Sequence, residues 1–194
     1  MTTPSALHSK KTPKWGTPVW LIEYARELLE EIQLDPASSP EFNSLVQALV
    51  IYTHDDNGLG QAWGGNVFVN PPGGLVTEFW QKLMAEVENG NVPKAFWVGF
   101  SIEQLATLSH DEKTLAKLKP DVLGLTPLDL DPAHPLDFST CILRKRCSFN
   151  NEALIPGGSP SHSNYVTAIG CNKSLFDKLF SKLGKVIHGR FTLD

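Results

Sequence analysis

Asn66 to Val69 form a short apolar run that stops at Asn70-Pro71-Pro72-Gly73-Gly74. Of all the features in this chain, this one most restricts the fold. Two successive prolines have no backbone N–H to give to a ladder, so a central strand has to end before them. The run is therefore predicted to be a buried strand whose carboxyl end carries a stiff corner with one amide side chain. In open α/β sheets, ligands collect at the carboxyl ends of strands.

The rest of the chain alternates strand and helix signals, which predicts an α/β sheet covered by helices. Pro18 suits a first helical turn with Thr17 as its cap, and Trp20 to Ile32 has apolar residues at helical spacing. Ile32 to Leu34 reads as a short strand ending at Asp35-Pro36, and Ser38 to Ser44 as a loop or a short helical turn. Leu75 to Val87 is a second amphipathic helix, and Ala95 to Phe100 a buried strand. Ile102 to Leu118 has helical character. Pro120 to Pro135, with four prolines, reads as a long loop. Phe138 to Phe149 is expected as a strand and Gly157 to Ser161 as a turn. A strand from Tyr165 to Cys171, a helix from Ser174 to Leu183 and a strand from Val186 to Phe191 complete the expectation. Residues 1–14 read as a flexible tail and 15–194 as a single domain.

Composition narrows the function classes. No apolar run approaches the ~20 residues needed to span a bilayer, and the N-terminus lacks the apolar stretch of a signal peptide. Cys141, Cys147 and Cys171 are an odd number without a C-x-x-C pair, which points to buried free thiols in a reducing cytoplasm. The six histidines lack metal-ligand spacing, so no metal is expected. No G-x-x-x-x-G-K-[ST] loop is present, which argues against an NTPase. Net charge is −4, but it is unevenly spread. Nine Lys and Arg face eighteen Asp and Glu up to Phe138, whereas eight face three from Ser139 onward. A basic face can hold a phosphate backbone even on an acidic protein.

The Asn-Pro-Pro corner suits one kind of chemistry. An aryl amine is a poor nucleophile because its lone pair is delocalised into the ring. Two acceptors aimed at its N–H groups return that density to nitrogen. The Asn70 side-chain oxygen and the Pro71 carbonyl, with Pro72 stiffening the backbone, are candidates for that pair. Taken alone, Asn-Pro-Pro-Gly is most often an ordinary turn. Its place after Val67-Phe68-Val69 gives it the catalytic reading.

The order of further motifs carries a resemblance. Trp15-Gly16-Thr17-Pro18 precedes the first helix and Leu34-Asp35-Pro36-Ala37-Ser38 follows it. Asp56-Asn57-Gly58-Leu59 and Trp63 lead into Val67-Phe68-Val69-Asn70-Pro71-Pro72, and Arg144-Lys145-Arg146-Cys147-Ser148-Phe149 comes later. Over Trp15 to Tyr165 this series resembles the phage-type DNA N-6-adenine methyltransferase family. The resemblance implies a Rossmann-like class I S-adenosylmethionine-dependent methyltransferase fold with helices on both faces of a mixed sheet. It implies S-adenosylmethionine as cofactor, DNA as substrate, no membrane association, and a phage or prophage protein in the bacterial cytoplasm. By position, Asn70, Pro71 and Pro72 match the catalytic motif. Trp15, Thr17, Pro18, Asp35, Ala37, Ser38, Asp56, Gly58 and Leu59 match cofactor-lining positions. Arg144 and Arg146 match the basic strand expected to meet nucleic acid, since alternation along a strand puts at most two of 144–146 on one face.

Position 73 departs from the pattern. The family usually has an aromatic there, stacked on the flipped target base, and this chain has Gly73. Three alternatives stay open at this stage. Another aromatic, Phe100 or Trp80, stands in; the amine belongs to RNA, cytosine or a protein amide; or the chain is a non-catalytic module that binds DNA or a partner.

Overall fold

Side chains along the central strands alternate between two cores, as a period of two demands. Val67, Val69, Ala95 and Trp97 join one cluster, and Phe68, Phe96 and Val98 join the other. A sheet buried on both faces needs helices on both, and they are present. In the computed structural model, residues 15–101, 118–120, 136–157 and 163–193 are described, with backbone only at 118–120 and 191–193. The expected tail at 1–14, the helical stretch at 102–117, the 121–135 part of the loop and the turn at 158–161 lie outside them.

The elements run α1 (Val19–Leu29), β1 (Leu34–Asp35), α2 (Pro40–Val46), β2 (Val50–Ile51), a 3-10 turn (Gly58–Gly60) and β3 (Asn66–Val69). They continue with α3 (Val76–Glu88), β4 (Lys94–Gly99), β5 (Leu118–Pro120), β6 (Asp137–Leu143), β7 (Tyr165–Ile169), α4 (Lys173–Phe180) and β8 (Gly184–Leu193). The strands form one mixed sheet in the order β2-β1-β3-β4-β7-β6-β8-β5. β2, β1, β3 and β4 are parallel to one another. β7 is antiparallel to both β4 and β6, so β6 runs in the same direction as the parallel half. β8 is antiparallel to β6.

α1 and α4 cover one face, burying Leu21, Ile22, Ala25 and Leu29 with Phe176 and Phe180 over Phe68 and Phe96. α3 covers the other, setting Phe79, Leu83 and Val87 over Val67, Val69 and Trp97. Each such side chain contributes about 1.5–3 kcal/mol on burial. Between α4 and the sheet, buried Asp137 is held by Lys173 Nζ at 3.0 Å and by Arg190 Nε. Burial pushes the Asp137 carboxyl up, but these two cations outweigh it and hold it below the ordinary range.

Several expectations need correction. Pro18, not Thr17, stands at the cap position of α1, with no side-chain bond to the first turn; the Pro18 carbonyl instead accepts from Leu21 N at 3.0 Å. The strand expected to reach Phe149 ends at Leu143, because the chain bends at Arg144 and Lys145. Pro120 closes β5, whose place at the sheet edge tolerates a missing donor. β2 carried no sequence signal, since two residues are too short for a period to register.

Candidate functional site at the carboxyl edge

The strand order reverses at β1. From β1 the chain passes to β2 on one side, then returns to β3 on the other. Such a switch point opens a crevice beyond the carboxyl ends of the two inner strands. Asp35 ends β1, and Asn70 follows the last residue of β3. With Leu34 opposite Val67, the two motifs reach the same edge side by side.

Asp35 is 3% exposed. Its Oδ1 accepts a hydrogen bond from Ala37 N at 3.1 Å, which curls Asp35-Pro36-Ala37 into a turn. Burial pushes its carboxyl up to about 6, against the Ala37 amide and the facing Ser38 hydroxyl, which favour the charged form. That hydroxyl stops short of a full hydrogen bond. The 3-10 turn packs directly on this corner. A β-carbon at Gly58 would collide with the Pro36 carbonyl oxygen. The Gly58 carbonyl accepts from Trp63 Nε1 at 2.7 Å, and Leu59 is half-buried against the α3 core. Asp56 lies on the same turn. It is exposed, and its carboxylate accepts from Thr53 Oγ1 at 2.7 Å and Thr53 N at 2.8 Å. Those bonds, the hydroxyl first, hold it below the ordinary carboxylate range. It closes the turn that carries Gly58 and Leu59.

Asn70 Nδ2 donates to the Trp15 carbonyl at 2.9 Å. A carbonyl only accepts, so this bond fixes which way the amide faces and leaves Oδ1 as a free acceptor. Oδ1 is buried without a hydrogen-bond partner. Two other buried side-chain atoms among the described residues share that condition, Thr17 Oγ1 and Ser38 Oγ. All three belong to residues singled out from the sequence. An unsatisfied buried acceptor or hydroxyl costs about 1–3 kcal/mol, and folded proteins rarely leave one without a use. Pro71 is buried beside Asn70. Pro72 is exposed, and its carbonyl accepts from Leu75 N at 2.9 Å in the turn into α3.

Gly73 is exposed, with no atom within 4 Å of where a side chain would begin. Trp80 does not stand in for the missing aromatic, because it is buried under α3 with its ring edge-on to Trp97 at 5.1 Å. Phe100 is half-buried against the Phe149 ring at 5.6 Å.

β6 runs parallel to β4, so Arg144 to Arg146 emerge at the same carboxyl edge. Because they lie on a bend, all three are exposed, where a strand would have shown at most two on one face. Arg144 N bonds the Leu183 carbonyl at 2.9 Å, which brings exposed Lys182 and Lys185 to the same corner.

Two positioning residues escaped the sequence reading. Asn150 pairs both backbone groups with Gly16 at 2.8 Å and donates its side chain to the Thr17 carbonyl at 3.2 Å. It thereby fastens Trp15-Gly16-Thr17 across the site. Asn164, fully buried, accepts from Cys147 N at 2.9 Å and donates to the Gly99 carbonyl at 3.3 Å, clamping the ends of β4 and β6. Single asparagines in irregular segments have no periodic or motif signal to betray such a role.

The three cysteines are free and buried, and burial pushes their thiols up to about 11 for Cys141 and about 12 for Cys147 and Cys171. They are inert thiols rather than nucleophiles. Among the described residues, no three His, Cys, Asp or Glu side chains group as a metal site would need. No described helix is long and apolar enough to cross a membrane. The fold thus defines an α/β protein in which Asp35 and Asn70 end neighbouring strands at a topological switch point. Comparison with protein-family models, with curated proteins and with solved structures finds no match to this chain.

Proposed function

We propose that the protein is an S-adenosylmethionine-dependent methyltransferase of the Rossmann-like class I fold, acting on the exocyclic 6-amino group of adenine in DNA. The observation that carries this reading is the switch point, where neighbouring strands end at a buried carboxyl, Asp35, and a buried amide oxygen without a partner, Asn70 Oδ1. S-adenosylmethionine would supply an electrophilic methyl group on a sulfonium. The residues present suit it. Asp35 offers a carboxylate to a cationic ligand, Ser38 and Thr17 offer unpaired hydroxyls, and Gly58 packs its backbone on the Pro36 carbonyl behind Asp35.

Asn70 and Pro71 act on the amine. The Asn70 amide is already turned by Trp15, so its oxygen needs no reorganisation to accept an N–H. The Pro71 carbonyl accepts the second N–H. Both acceptors raise the electron density of the amine nitrogen and stabilise the charge that develops on it. The methyl–sulfur bond would break as the new N–C bond forms, leaving a neutral thioether, and the amine proton would pass to solvent afterwards, so no strong base is required. Arg144 and Arg146, with Lys145, hold the phosphate backbone near the crevice.

Calorimetric titration with S-adenosylmethionine tests the reading first. Micromolar binding that Asp35→Ala weakens is expected, followed by labelled-methyl transfer to unmethylated duplex DNA that Asn70→Ala reduces about 100- to 1000-fold. A folded protein that binds no cofactor would sink the proposal and favour a non-catalytic binding module. Cofactor binding with transfer only to RNA, cytosine or a protein amide would move the substrate.

A further inference from the structure

The inference below rests on the proposed function. A base whose amine reaches Asn70 has left the duplex stack, and enzymes compensate by stacking the flipped base on aromatic or apolar side chains. Position 73 offers no such surface. Trp80 and Trp63 are buried, the Tyr52 hydroxyl is tied to the Ala62 carbonyl at 3.0 Å, and Phe100 is packed on Phe149. One aromatic among the described residues combines direct contact with Asn70 and an open ring. Trp15 accepts the Asn70 amide through its carbonyl, and it is 41% exposed. Its indole is pressed against Gly157, where a β-carbon would collide with ring atom Cζ3. Its backbone runs into Gly16, which is paired on both sides with Asn150. The ring is thus held against Gly157 and stays partly exposed, on the residue whose carbonyl orients the Asn70 amide.

We propose that Trp15 supplies the stacking face for the target base, replacing the side chain absent at Gly73. The role is distinct from lining the cofactor pocket, and the two roles separate experimentally. The measurements are S-adenosylmethionine affinity by calorimetry and steady-state methylation of unmethylated duplex DNA. They are made on the wild type, Trp15→Ala, Trp15→Phe and the double variant Trp15→Ala/Gly73→Phe. Trp15→Ala is expected to lower kcat/KM for DNA about ten- to a hundredfold, the loss of one base–aromatic stack, while cofactor affinity stays within about twofold. Trp15→Phe retains most activity. Gly73 lies outside the left-handed backbone region and faces open space, so a phenyl ring fits there. The double variant is therefore expected to recover at least tenfold over Trp15→Ala, which a merely structural role would not produce. Unchanged DNA kinetics in Trp15→Ala would overturn the inference. So would a loss that tracks cofactor affinity, which would place Trp15 in the cofactor pocket. A wild-type protein that binds no cofactor would instead remove the function itself, so the two failures are distinguishable.

Discussion

Asp35 is the residue whose environment makes the firmest prediction. Burial raises its carboxyl from an ordinary 3.8 to about 6. Between those values the unfolded chain releases a proton that the folded one keeps. Stability therefore falls as pH rises across that window, by up to about 3 kcal/mol. Asp35→Asn is expected to flatten this slope, and urea midpoints at pH 4 and pH 7 would show it. The same carboxyl predicts the pH dependence of ligand binding. A cationic cofactor pairs with the ionised form, so its affinity should rise through pH 6, with a proton released on binding below that. Buffers of different ionisation enthalpy reveal that proton in calorimetry. A flat affinity profile from pH 5 to 8 would mean that Asp35 does not face the cation.

At the scale of elements, two close contacts hold the crevice and the sheet. The 3-10 turn touches the β1 corner at Gly58 and Pro36, where no β-carbon fits. Gly58→Ala should cost about 1–3 kcal/mol through overpacking and push the corner out of place, weakening cofactor binding more than stability. Thermal unfolding and calorimetry on the same preparation separate the two effects. At the other side of the sheet, α4 is anchored by buried Lys173 on Asp137. Lys173→Met leaves the carboxylate with Arg190 as its charged partner and should destabilise by about 3 kcal/mol. Because the Asp137 carboxyl sits below its ordinary range, its contribution is present at neutral pH and is lost as pH falls below about 4. The variant should therefore differ most from the wild type at pH 7 and least at pH 3, as read from urea midpoints.

The whole molecule is acidic, yet its carboxyl edge gathers Arg144, Lys145, Arg146, Lys182 and Lys185. Under the proposed function this arrangement predicts DNA binding that weakens steeply with salt. Replacing Arg144 and Arg146 with Gln should reduce the slope of log affinity against log salt by about 2, one per phosphate contact, with little effect on cofactor affinity. Fluorescence anisotropy with duplex DNA from 50 to 200 mM salt measures it. An unchanged slope would assign these arginines to an ordinary solvated surface.

Sequence by itself determined the local units. Val67-Phe68-Val69 had to be a buried strand, and Pro71-Pro72 had to end it, because missing donors and restricted backbone angles act within a few residues. Helix periodicity found α1, α3 and α4 to within a few residues at each end, since one apolar face repeats every turn. Asp35 and Asn70 were legible as candidates for the same reason: each sits where a strand stops. Only the tertiary structure decided the rest. Strand order is a matter of which edges meet across long loops, so it took the fold to bring Asp35 and Asn70 to one switch point. It took the fold also to turn Asn70 through the Trp15 carbonyl. Asn150 and Asn164 gained their roles from partners dozens of residues away, and no short window of sequence holds that information.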